Sequence, residues 1–523
     1  MNSALFFAPV VLCLALAFCG IVCTLTAAVG LRRKAPGKEP QHSRHAEPPV
    51  LSRGDPVGVG ERTRLACCQR RPAVGALARE RLAAWWPFQT RNHSRRGAAN
   101  HTRGRVCSPP LTESSGLGEA APKPGITSAA RIAFLKGLLV LGLGALAAGV
   151  LGAWATGPSI GLTQAPVAEW SDGRAPELEP LIRKHCAPFI SEGNTLGLAV
   201  AAVTPTNATI MTFGLPALGS SAPTGPDTLF ELGSITKTFT ALVLACEIEH
   251  GRLRLDDPVQ QLLPSGVRLP EAARGITLRN LTTHTSGFPH LPAGFSSARS
   301  IGMLLFGTDP YVGYSQADLL RDVQSVKLQS KPGAKASYSN YGMMLLGDLL
   351  AREVGCTYEE LVKREVCLPL GMTNTTITLQ PGQRRRTAQA YRAVLRCGPL
   401  TLALRSAPWL EGNPLGGAGG LRSTASDMLK YLRANMHPEG QPLANALRQS
   451  HRALFKENDH TSFGMNWVIS NQSHQMVIWH NGGTGGFRSY LGFTADGRVG
   501  VLVLSNSSED VDGLAEDLLH ELQ

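Results

Sequence analysis

The chain has 523 residues, enough for one large core with a subsidiary lobe or for several smaller domains. Its formal net charge of +12 is confined to the N-terminal part, because residues 1–164 hold 20 Lys and Arg against 7 Asp and Glu, whereas residues 165–523 hold 31 against 32. The basic part has few aromatic residues and adjoins apolar segments, so membrane topology explains its charge better than nucleic-acid binding does.

The first apolar segment, residues 4–31, contains no charged residue and is followed directly by the basic run at residues 32–34. It is long for a signal peptide and lacks a basic stretch ahead of it. These features predict a signal anchor over residues 1–31, with a cleaved signal peptide as the alternative.

A second apolar segment, residues 137–155, is about long enough to span a bilayer and predicts a transmembrane helix. Arg131 and Lys136 precede it, so the positive-inside rule places residues 32–136 in the cytosol as a basic, poorly ordered loop. The sequence therefore predicts a membrane protein whose C-terminal part is lumenal or extracellular.

Five glycosylation sequons in the C-terminal part agree with that location. Their asparagines are Asn207, Asn280, Asn374, Asn471 and Asn506. Asn280 is the exception, because it lies in a stretch where a structural side-chain hydrogen bond is the expected role.

Residues 165–523 predict one α/β domain. Near its start, residues 176–192 have the pattern of an amphipathic helix, and residues 198–203 and 210–213 have that of two strands. Near its end, three strand patterns and a helix pattern follow one another at residues 475–479, 489–493, 499–504 and 511–522. The segment between these ends is mostly helical in pattern. We therefore expect an antiparallel sheet built from both chain ends and flanked by helices, with an inserted helical lobe.

The most distinctive motif is Ser234-Ile-Thr-Lys237, at the predicted start of an apolar helix. Residues three apart share one face of a helix, so the hydroxyl and the amine lie within one turn of each other. The partial positive charge of the helix N-terminus favours a neutral lysine. A serine beside a neutral amine is a nucleophile with its base, although this spacing alone also fits a capped surface helix.

Two further motifs lie at the ends of predicted elements. Tyr338-Ser-Asn340 directly precedes an apolar helix, and His480-Asn-Gly482 ends a strand pattern. With the serine motif, they resemble the Ser-x-x-Lys, Tyr-x-Asn and Lys/His-x-Gly motifs of the serine beta-lactamase and penicillin-binding-protein superfamily, in its class-C-like branch. The sequence also resembles other signatures of that family, at residues 251–258, 276–288 and 419–428. The resemblance runs from about residue 177 to the C-terminus and implies the same α/β architecture.

The resemblance also implies roles for the residues of the first two motifs. Ser234 is the expected nucleophile, Lys237 its first base, and Tyr338 the second acid and base. Asn340 is expected to position Lys237 and to bind the substrate amide. These four side chains would make up an acyl-transfer site.

The end of the predicted strand would supply the rest of the site. The backbone N–H groups of Ser234 and Gly483 are the expected oxyanion hole, and glycine at Gly482 and Gly483 lets the substrate approach closely. His480 stands where drug-hydrolysing lactamases usually have lysine, so the permanent cation for a carboxylate-bearing beta-lactam is lost. His480 can still bond Tyr338, and a structural role at the strand end is the alternative.

The sequence contains no His-Glu-x-x-His, no Cys-x-x-Cys and no phosphate-binding glycine loop. We therefore expect no metal and no cofactor. His284, which lies in one of the family-like stretches, is expected to shape a loop and to take no part in the chemistry.

Together these residues predict a membrane-anchored serine hydrolase, an amidase, peptidase or esterase, which cleaves a small-molecule or peptide substrate through an acyl-serine intermediate. The alternative from another class is a catalytically inactive scaffold or self-assembling module with the same fold. A scaffold, however, gives no physical reason to keep the serine, lysine, tyrosine and asparagine at their spacings. A nonhydrolytic acyl transferase is a third hypothesis, and the sequence leaves the substrate and the oligomeric state open.

Overall fold

A computed structural model of the protein describes residues 159–161, 168–295, 299, 302, 307–397, 400–411, 413, 416–472 and 475–523. The chain divides into two units, residues 1–71 and 72–523, and all described residues belong to the second. The predicted signal anchor, basic loop and transmembrane helix lie outside the described residues. Within the described residues, no helix is both long enough and apolar enough to cross a membrane.

The strands of the described residues are β1 Ser159–Gly161, β2 Glu169–Ser171, β3 Gly197–Val203, β4 Ala208–Gly214, β5 Leu229–Glu231, β6 Tyr391–Cys397, β7 Leu400–Arg405, β8 Arg422–Thr424, β9 Phe455–Lys456, β10 Thr461–Phe463, β11 Val468–Gln472, β12 Gln475–Gly483, β13 Arg488–Thr494 and β14 Gly500–Ser505. The helices are α1 Glu179–Ser191, α2 Thr236–Glu249, α3 Val259–Leu262, α4 Leu278–Thr282, α5 Gln316–Val323, α6 Asn340–Val354, α7 Tyr358–Val362, α8 Pro381–Arg384, α9 Ala425–Met436, α10 Ala444–Ser450 and α11 Asp512–Glu521.

The main sheet has nine antiparallel strands in the order β2-β4-β3-β14-β13-β12-β11-β10-β9. Strands from the two ends of the domain meet where β3 pairs with β14, with Leu198 opposite Ser505 and Val203 opposite Gly500. This agrees with the sequence prediction of a single antiparallel sheet built from both ends.

The central strands are buried on both faces of the sheet. Along β3, successive side chains point to opposite faces. Val200 packs in the apolar cluster beneath α1 and α11, whereas Ala201 packs in the larger cluster that contains α9 and the helices behind it. Because both faces are covered, β3 and β14 are apolar throughout and lack the polar alternation of a half-exposed strand.

Helices make up most of the regular structure between β4 and β9, as the sequence predicted, and long loops connect them. Its two long helices, α2 and α6, bury nearly all of their residues and pack against each other. The short strands β5 and β8 pair with each other beside the start of α2. The hairpin of β6 and β7, to which β1 adds a third strand, was not predicted.

The helical lobe and the sheet meet at a contact between glycines. Gly233, in the turn between β5 and α2, has a φ of +52°, a left-handed conformation that suits glycine. A Cβ atom on Gly233 would lie 2.5 Å from the backbone nitrogen of Gly483, at the end of β12. A Cβ atom on Gly482 would overlap the carbonyl oxygen of Leu232. Glycine at these positions therefore lets the end of β12 lie directly against the turn that carries Ser234.

Candidate active site

Ser234 lies in a single 3₁₀ turn, Gly233–Ile235, and Lys237 lies in the first turn of α2. Both side chains are buried, and the Nζ atom of Lys237 is 2.9 Å from the Oγ atom of Ser234. Nζ also donates a hydrogen bond to the carbonyl of Ala418. No carboxylate pairs with Lys237 among the residues that the structure describes, so burial lowers the pKa of this lysine well below its ordinary value. The arrangement places an amine of lowered pKa beside the serine hydroxyl.

Tyr338 reaches the same hydroxyl from the loop that precedes α6. Its hydroxyl donates to Oγ of Ser234 over 2.5 Å, and Nζ of Lys237 lies 4.8 Å from the centre of its ring. The loop is fixed by Ser339, whose hydroxyl accepts the N–H of Gly342 in the first turn of α6. Burial raises the pKa of Tyr338, so its phenol stays protonated and can act as a donor.

Three histidine rings surround the ring of Tyr338. The ring centres of His284, His290 and His480 lie 4.6, 5.9 and 6.3 Å from that of Tyr338. Burial lowers the pKa of His290 to about 4 and that of His480 to about 3, and it shifts the pKa of His284 in the same direction. All three rings are therefore neutral near pH 7.

His480 does not bond Tyr338 as the sequence suggested. Its Nδ1 atom donates instead to the backbone carbonyl of Asn481, over 2.5 Å. His284 does shape its loop, because its backbone is left-handed with a φ of 58° and its Nδ1 accepts the N–H of Ser339. Its ring also packs on Tyr338, a contact that sequence reasoning missed. The Thr-Thr-His-Thr-Ser stretch was the only signal for it.

Asn340 begins α6, but the structure does not place it on Lys237 as the resemblance implied. Its Nδ2 atom donates to the hydroxyl of Tyr311 over 3.2 Å. Its Oδ1 atom is buried and has no hydrogen-bond partner among the described residues. A buried carbonyl oxygen without a partner is costly, so this atom is available to a donor on the substrate.

A buried ion pair, missed by sequence reasoning, lies beneath the serine turn. Arg422 on β8 donates to a carboxylate oxygen of Glu231 on β5 over 2.8 Å, and both side chains are buried. Burial raises the pKa of Glu231, and the charge of Arg422 opposes that shift. The sequence placed Arg422 in a family-like stretch and Glu231 just ahead of the serine motif, but only the pairing of β5 with β8 brings them together.

One group of side chains outside the site has the composition of a metal site. Glu247, His250 and Glu365 offer ligand atoms within 4.8 Å of one another. The guanidinium of Arg252, however, donates to both carboxylate oxygens of Glu247 and contacts the ring of His250. A cationic side chain therefore already pairs with these groups.

The sequence matches the beta-lactamase family over residues 182–523. The D-alanyl-D-alanine-carboxypeptidase/endopeptidase AmpH of Escherichia coli K12 is 25% identical over 354 residues, which cover 63% of this chain and 86% of AmpH. A beta-lactamase of Pseudomonas fluorescens is 27% identical over 375 residues, covering 64% of this chain and 95% of that protein. Penicillin-binding protein 4* of Bacillus subtilis is 26% identical over 311 residues, covering 57% of this chain and 65% of the relative.

Solved structures agree with these matches. A beta-lactamase/D-alanine carboxypeptidase from Yersinia pestis, complexed with citrate, superimposes with a TM-score of 0.56 and 24% identity, covering 66% of this chain and 99% of the other. An octameric penicillin-binding protein homologue from Pyrococcus abyssi gives a TM-score of 0.55 and 26% identity, covering 66% and 76%. The predicted α/β fold is thus confirmed, and the chain belongs to the beta-lactamase family as a serine hydrolase of the beta-lactamase-like type.

Proposed function

We propose that the protein is a membrane-anchored serine hydrolase that cleaves an amide or ester through an acyl-Ser234 intermediate. The observation that carries this proposal is the hydrogen-bonded chain of Tyr338, Ser234 and Lys237, in which burial keeps the lysine neutral. A nucleophile, a base and a second proton donor are the groups that acyl transfer requires.

We propose a direction for each proton in the reactive form of the site. The phenol of Tyr338 donates to Oγ of Ser234, and Nζ of Lys237 lies 2.9 Å from the same oxygen. With Lys237 neutral, its lone pair would accept the proton of Ser234. The two N–H bonds of that amine remain for acceptors, one of which is the carbonyl of Ala418. The hydroxyl of Ser234 is thus already aligned for transfer of its proton to the base.

Acylation then follows in two steps. Oγ of Ser234 attacks the carbonyl carbon while its proton moves to Lys237, and the negative charge collects on the substrate oxygen. We propose that the N–H groups of Ser234 and Gly483 bind this oxygen, which the contact of Gly233 with Gly483 supports. As the bond to the leaving group breaks, Tyr338 gives its proton to the leaving atom and regains one from Lys237.

Deacylation uses the same residues in reverse order. A water molecule gives a proton to the neutral amine of Lys237 and attacks the acyl carbon. The bond to Oγ of Ser234 breaks, the serine regains its proton, and the carboxylic acid leaves. If an alcohol or amine enters instead of water, the same steps give acyl transfer.

The relatives favour an amide substrate. AmpH is named for carboxypeptidase and endopeptidase activity, and other relatives are named beta-lactamases or penicillin-binding proteins. We propose by analogy that this protein acts on a small-molecule or peptide amide. The unpartnered Oδ1 of Asn340 supports this, because it could accept the N–H of an amide on the substrate.

Covalent labelling of the full-length protein with a fluorophosphonate tests the nucleophile. We expect one adduct, on Ser234, located by mass spectrometry of the digested protein. Ser234→Ala should abolish it while thermal unfolding changes little. Ser325→Ala, which removes an exposed hydroxyl, is the matched control and should label like the wild type.

Equal labelling of Ser234→Ala and the wild type would overturn the nucleophile assignment. Complete absence of labelling in a folded wild-type protein would favour the inactive scaffold. Release of the acyl group to an added amine, in excess of release to water, would favour the transferase.

We further propose that the hydrolase domain is lumenal or extracellular and is tethered by residues 1–31 and 137–155. The charge distribution and the sequons support this proposal. The surroundings of the sequons also indicate which asparagines are too enclosed to carry glycan. Asn506 is fully buried, its Oδ1 accepts the N–H of Gly197 over 2.7 Å, and its Nδ2 donates to the carbonyl of Pro216. Asn280 completes the capping box at the start of α4, as a structural role requires.

Translation into sealed microsomes tests the topology. Glycan is expected at some of the more accessible sequons, Asn207, Asn374 and Asn471, and at neither Asn280 nor Asn506. The hydrolase domain should resist added protease. Glycan at Asn92 or Asn100 would show that the basic loop is translocated and would contradict the proposed topology.

A further inference from the structure

A small cavity of about 50 Å³ borders the proposed active site. Tyr338 and His480 line it, together with the aromatic side chains of Phe463 and Trp479. At about 10–15 Å³ for each water, the cavity has room for roughly three to five waters or for one short organic group. Its aromatic walls could pack against methylene groups or against a cation.

The position of Tyr338 identifies the part of the substrate that reaches this cavity. Its hydroxyl contacts Ser234, and the same side chain forms part of the cavity wall. In the proposed mechanism Tyr338 gives its proton to the leaving atom. The leaving group must therefore lie against Tyr338, on the side of the cavity.

Two polar residues of the cavity wall each have an acceptor atom to which no described residue donates. Because Nδ1 of His480 donates to a backbone carbonyl, Nε2 of the neutral ring carries the lone pair, and no described residue bonds to it. Asn466 is 3% exposed and donates from Nδ2 to the hydroxyl of Thr282 over 3.0 Å. Its Oδ1 is buried without a hydrogen-bond partner in the described part of the chain.

A third acceptor is held by a carboxylate. Asn481 also lines the cavity, and its Nδ2 donates to Asp512, at the start of α11, over 2.6 Å. Its Oδ1 is thereby left for a donor, since nothing among the described residues bonds to it. Burial and the charge of Asp510 raise the pKa of Asp512, while Arg488 opposes this shift. A cation near Asn481 would favour the ionised form of Asp512.

We propose that this cavity binds the leaving group of the substrate and selects one that ends in a primary ammonium on a short methylene chain, in preference to a carboxylate. This proposal rests on the proposed function of the same site. An ammonium offers three N–H donors and a positive charge, which match the three acceptors, the aromatic walls and Asp512 behind them. A carboxylate has no donor and would face lone pairs.

Protection of Ser234 from the fluorophosphonate tests this selection without knowledge of the acyl group. The full-length protein is labelled in the presence of n-propylammonium, 1-propanol or propionate at matched ionic strength. We expect propylammonium to protect about tenfold more strongly than propionate, which corresponds to about 1.4 kcal/mol, with propanol in between. Equal protection by the two ions, or stronger protection by propionate, would overturn the proposal.

Two variants locate the origin of the preference. Asp512→Asn removes the carboxyl group that a bound cation would keep ionised, without changing the shape, and it should bring protection by the two ions close to parity. Asp517→Asn, an exposed position on the same helix, makes the same change in net charge and should keep the wild-type preference. Retention of the full preference in Asp512→Asn would overturn the role of this carboxylate.

A third variant tests the cavity itself. Asn466→Gly, which keeps the left-handed backbone at this position (φ 58°), should weaken protection by propylammonium more than protection by propanol, because it removes an acceptor. Unaltered protection by propylammonium in this variant would contradict the proposed binding mode. If the wild type is not labelled at all without a protectant, the proposed function fails, which is a different result from labelling without selection.

Discussion

Two basic side chains are buried beside the serine turn, and their surroundings differ. Lys237 contacts a hydroxyl and one backbone carbonyl, and burial lowers its pKa. Arg422 contacts Glu231 and the backbone carbonyls of Ile377, Gly420 and Trp409. A guanidinium does not lose its proton in proteins, so Arg422 stays charged and its surroundings must compensate that charge.

The difference shows how one level of burial can serve two purposes. Without a carboxylate, a buried lysine becomes neutral and can act as a base. With a carboxylate and several carbonyls around it, a buried arginine keeps its charge and links β5 to β8. We call the pair of Arg422 and Glu231 the brace. The brace lies directly beneath the turn that presents Ser234. Removing either basic side chain should therefore have a large effect. Loss of Lys237 should slow acylation, whereas loss of Arg422 should lower the free energy of unfolding.

The largest expected effect is on chemistry at Lys237. Lys237→Ala should slow fluorophosphonate acylation of Ser234 by about 10²–10⁴, the usual contribution of a general base. Lys237→Arg should not restore the rate, because a guanidinium cannot accept the proton. Labelling reactions are stopped at set times, and the fraction of Ser234 that carries the adduct is measured by mass spectrometry. Recovery with arginine would indicate that a positive charge, rather than a base, is what the site needs.

Breaking the brace should reduce stability. Arg422→Met leaves the carboxylate of Glu231 buried without its partner, and we expect the free energy of unfolding to fall by about 3–5 kcal/mol. Denaturant unfolding of the purified protein measures this change. Arg448→Met, at an exposed pair, should change it by less than about 1 kcal/mol.

The double variant Arg422→Met with Glu231→Leu sharpens the same comparison. It removes both charges, so it should recover much of the stability lost in the single variant. A double variant that is as unstable as the sum of the two single changes would show that the pair acts through its backbone hydrogen bonds and not through charge compensation.

A smaller effect on turnover is expected at Tyr338. Tyr338→Phe keeps the ring between the histidines and removes only the hydroxyl, so kcat should fall by about 10² while KM changes little. Steady-state kinetics on an activated ester would measure this. A rise in KM at constant kcat would mean that Tyr338 binds substrate and does not transfer protons.

The smallest effect is the dependence of stability on pH. Because burial lowers the pKa of Lys237 below its ordinary 10.5, the folded protein binds fewer protons at this site than the unfolded chain does. Stability should therefore rise with pH between the folded and the unfolded pKa, by up to about 1.4 kcal/mol per pH unit. Unfolding of the wild type and Lys237→Met between about pH 7 and about pH 9 measures this. If the free energy of unfolding changes equally with pH in the wild type and in Lys237→Met, a neutral, buried lysine is contradicted.

Much of the sheet could be predicted from sequence, because its strands are continuous apolar runs bounded by glycine, proline and polar residues. The first helix was predicted from residue 176 but begins at Glu179. Pro180 lies in the first turn, where its missing N–H costs no intrahelical hydrogen bond, and Pro188 lies inside the same helix. The hairpin of β6 and β7 was missed, since Arg392 and Arg396 interrupt its apolar pattern and its third strand comes from a distant part of the chain.

The motifs were sufficient to bring Ser234, Lys237 and Tyr338 together, because local spacing and family order carry that information. Partners that depend on distant backbone were not predictable. His290 reaches Tyr338 only after the loop between α4 and α6 folds. The bond of Asn340 to Tyr311 depends on a loop whose shape the sequence does not specify.

The glycine contact between Gly233 and Gly483 has a consequence for how this protein can lose activity. Each glycine belongs to a different layer, one to the turn before α2 and the other to the sheet. Neither layer alone holds both N–H groups of the proposed oxyanion site, so we expect that loosening their junction would remove reactivity before secondary structure melts. During gradual heating, the rate of Ser234 labelling would then report whether the two layers are still in contact.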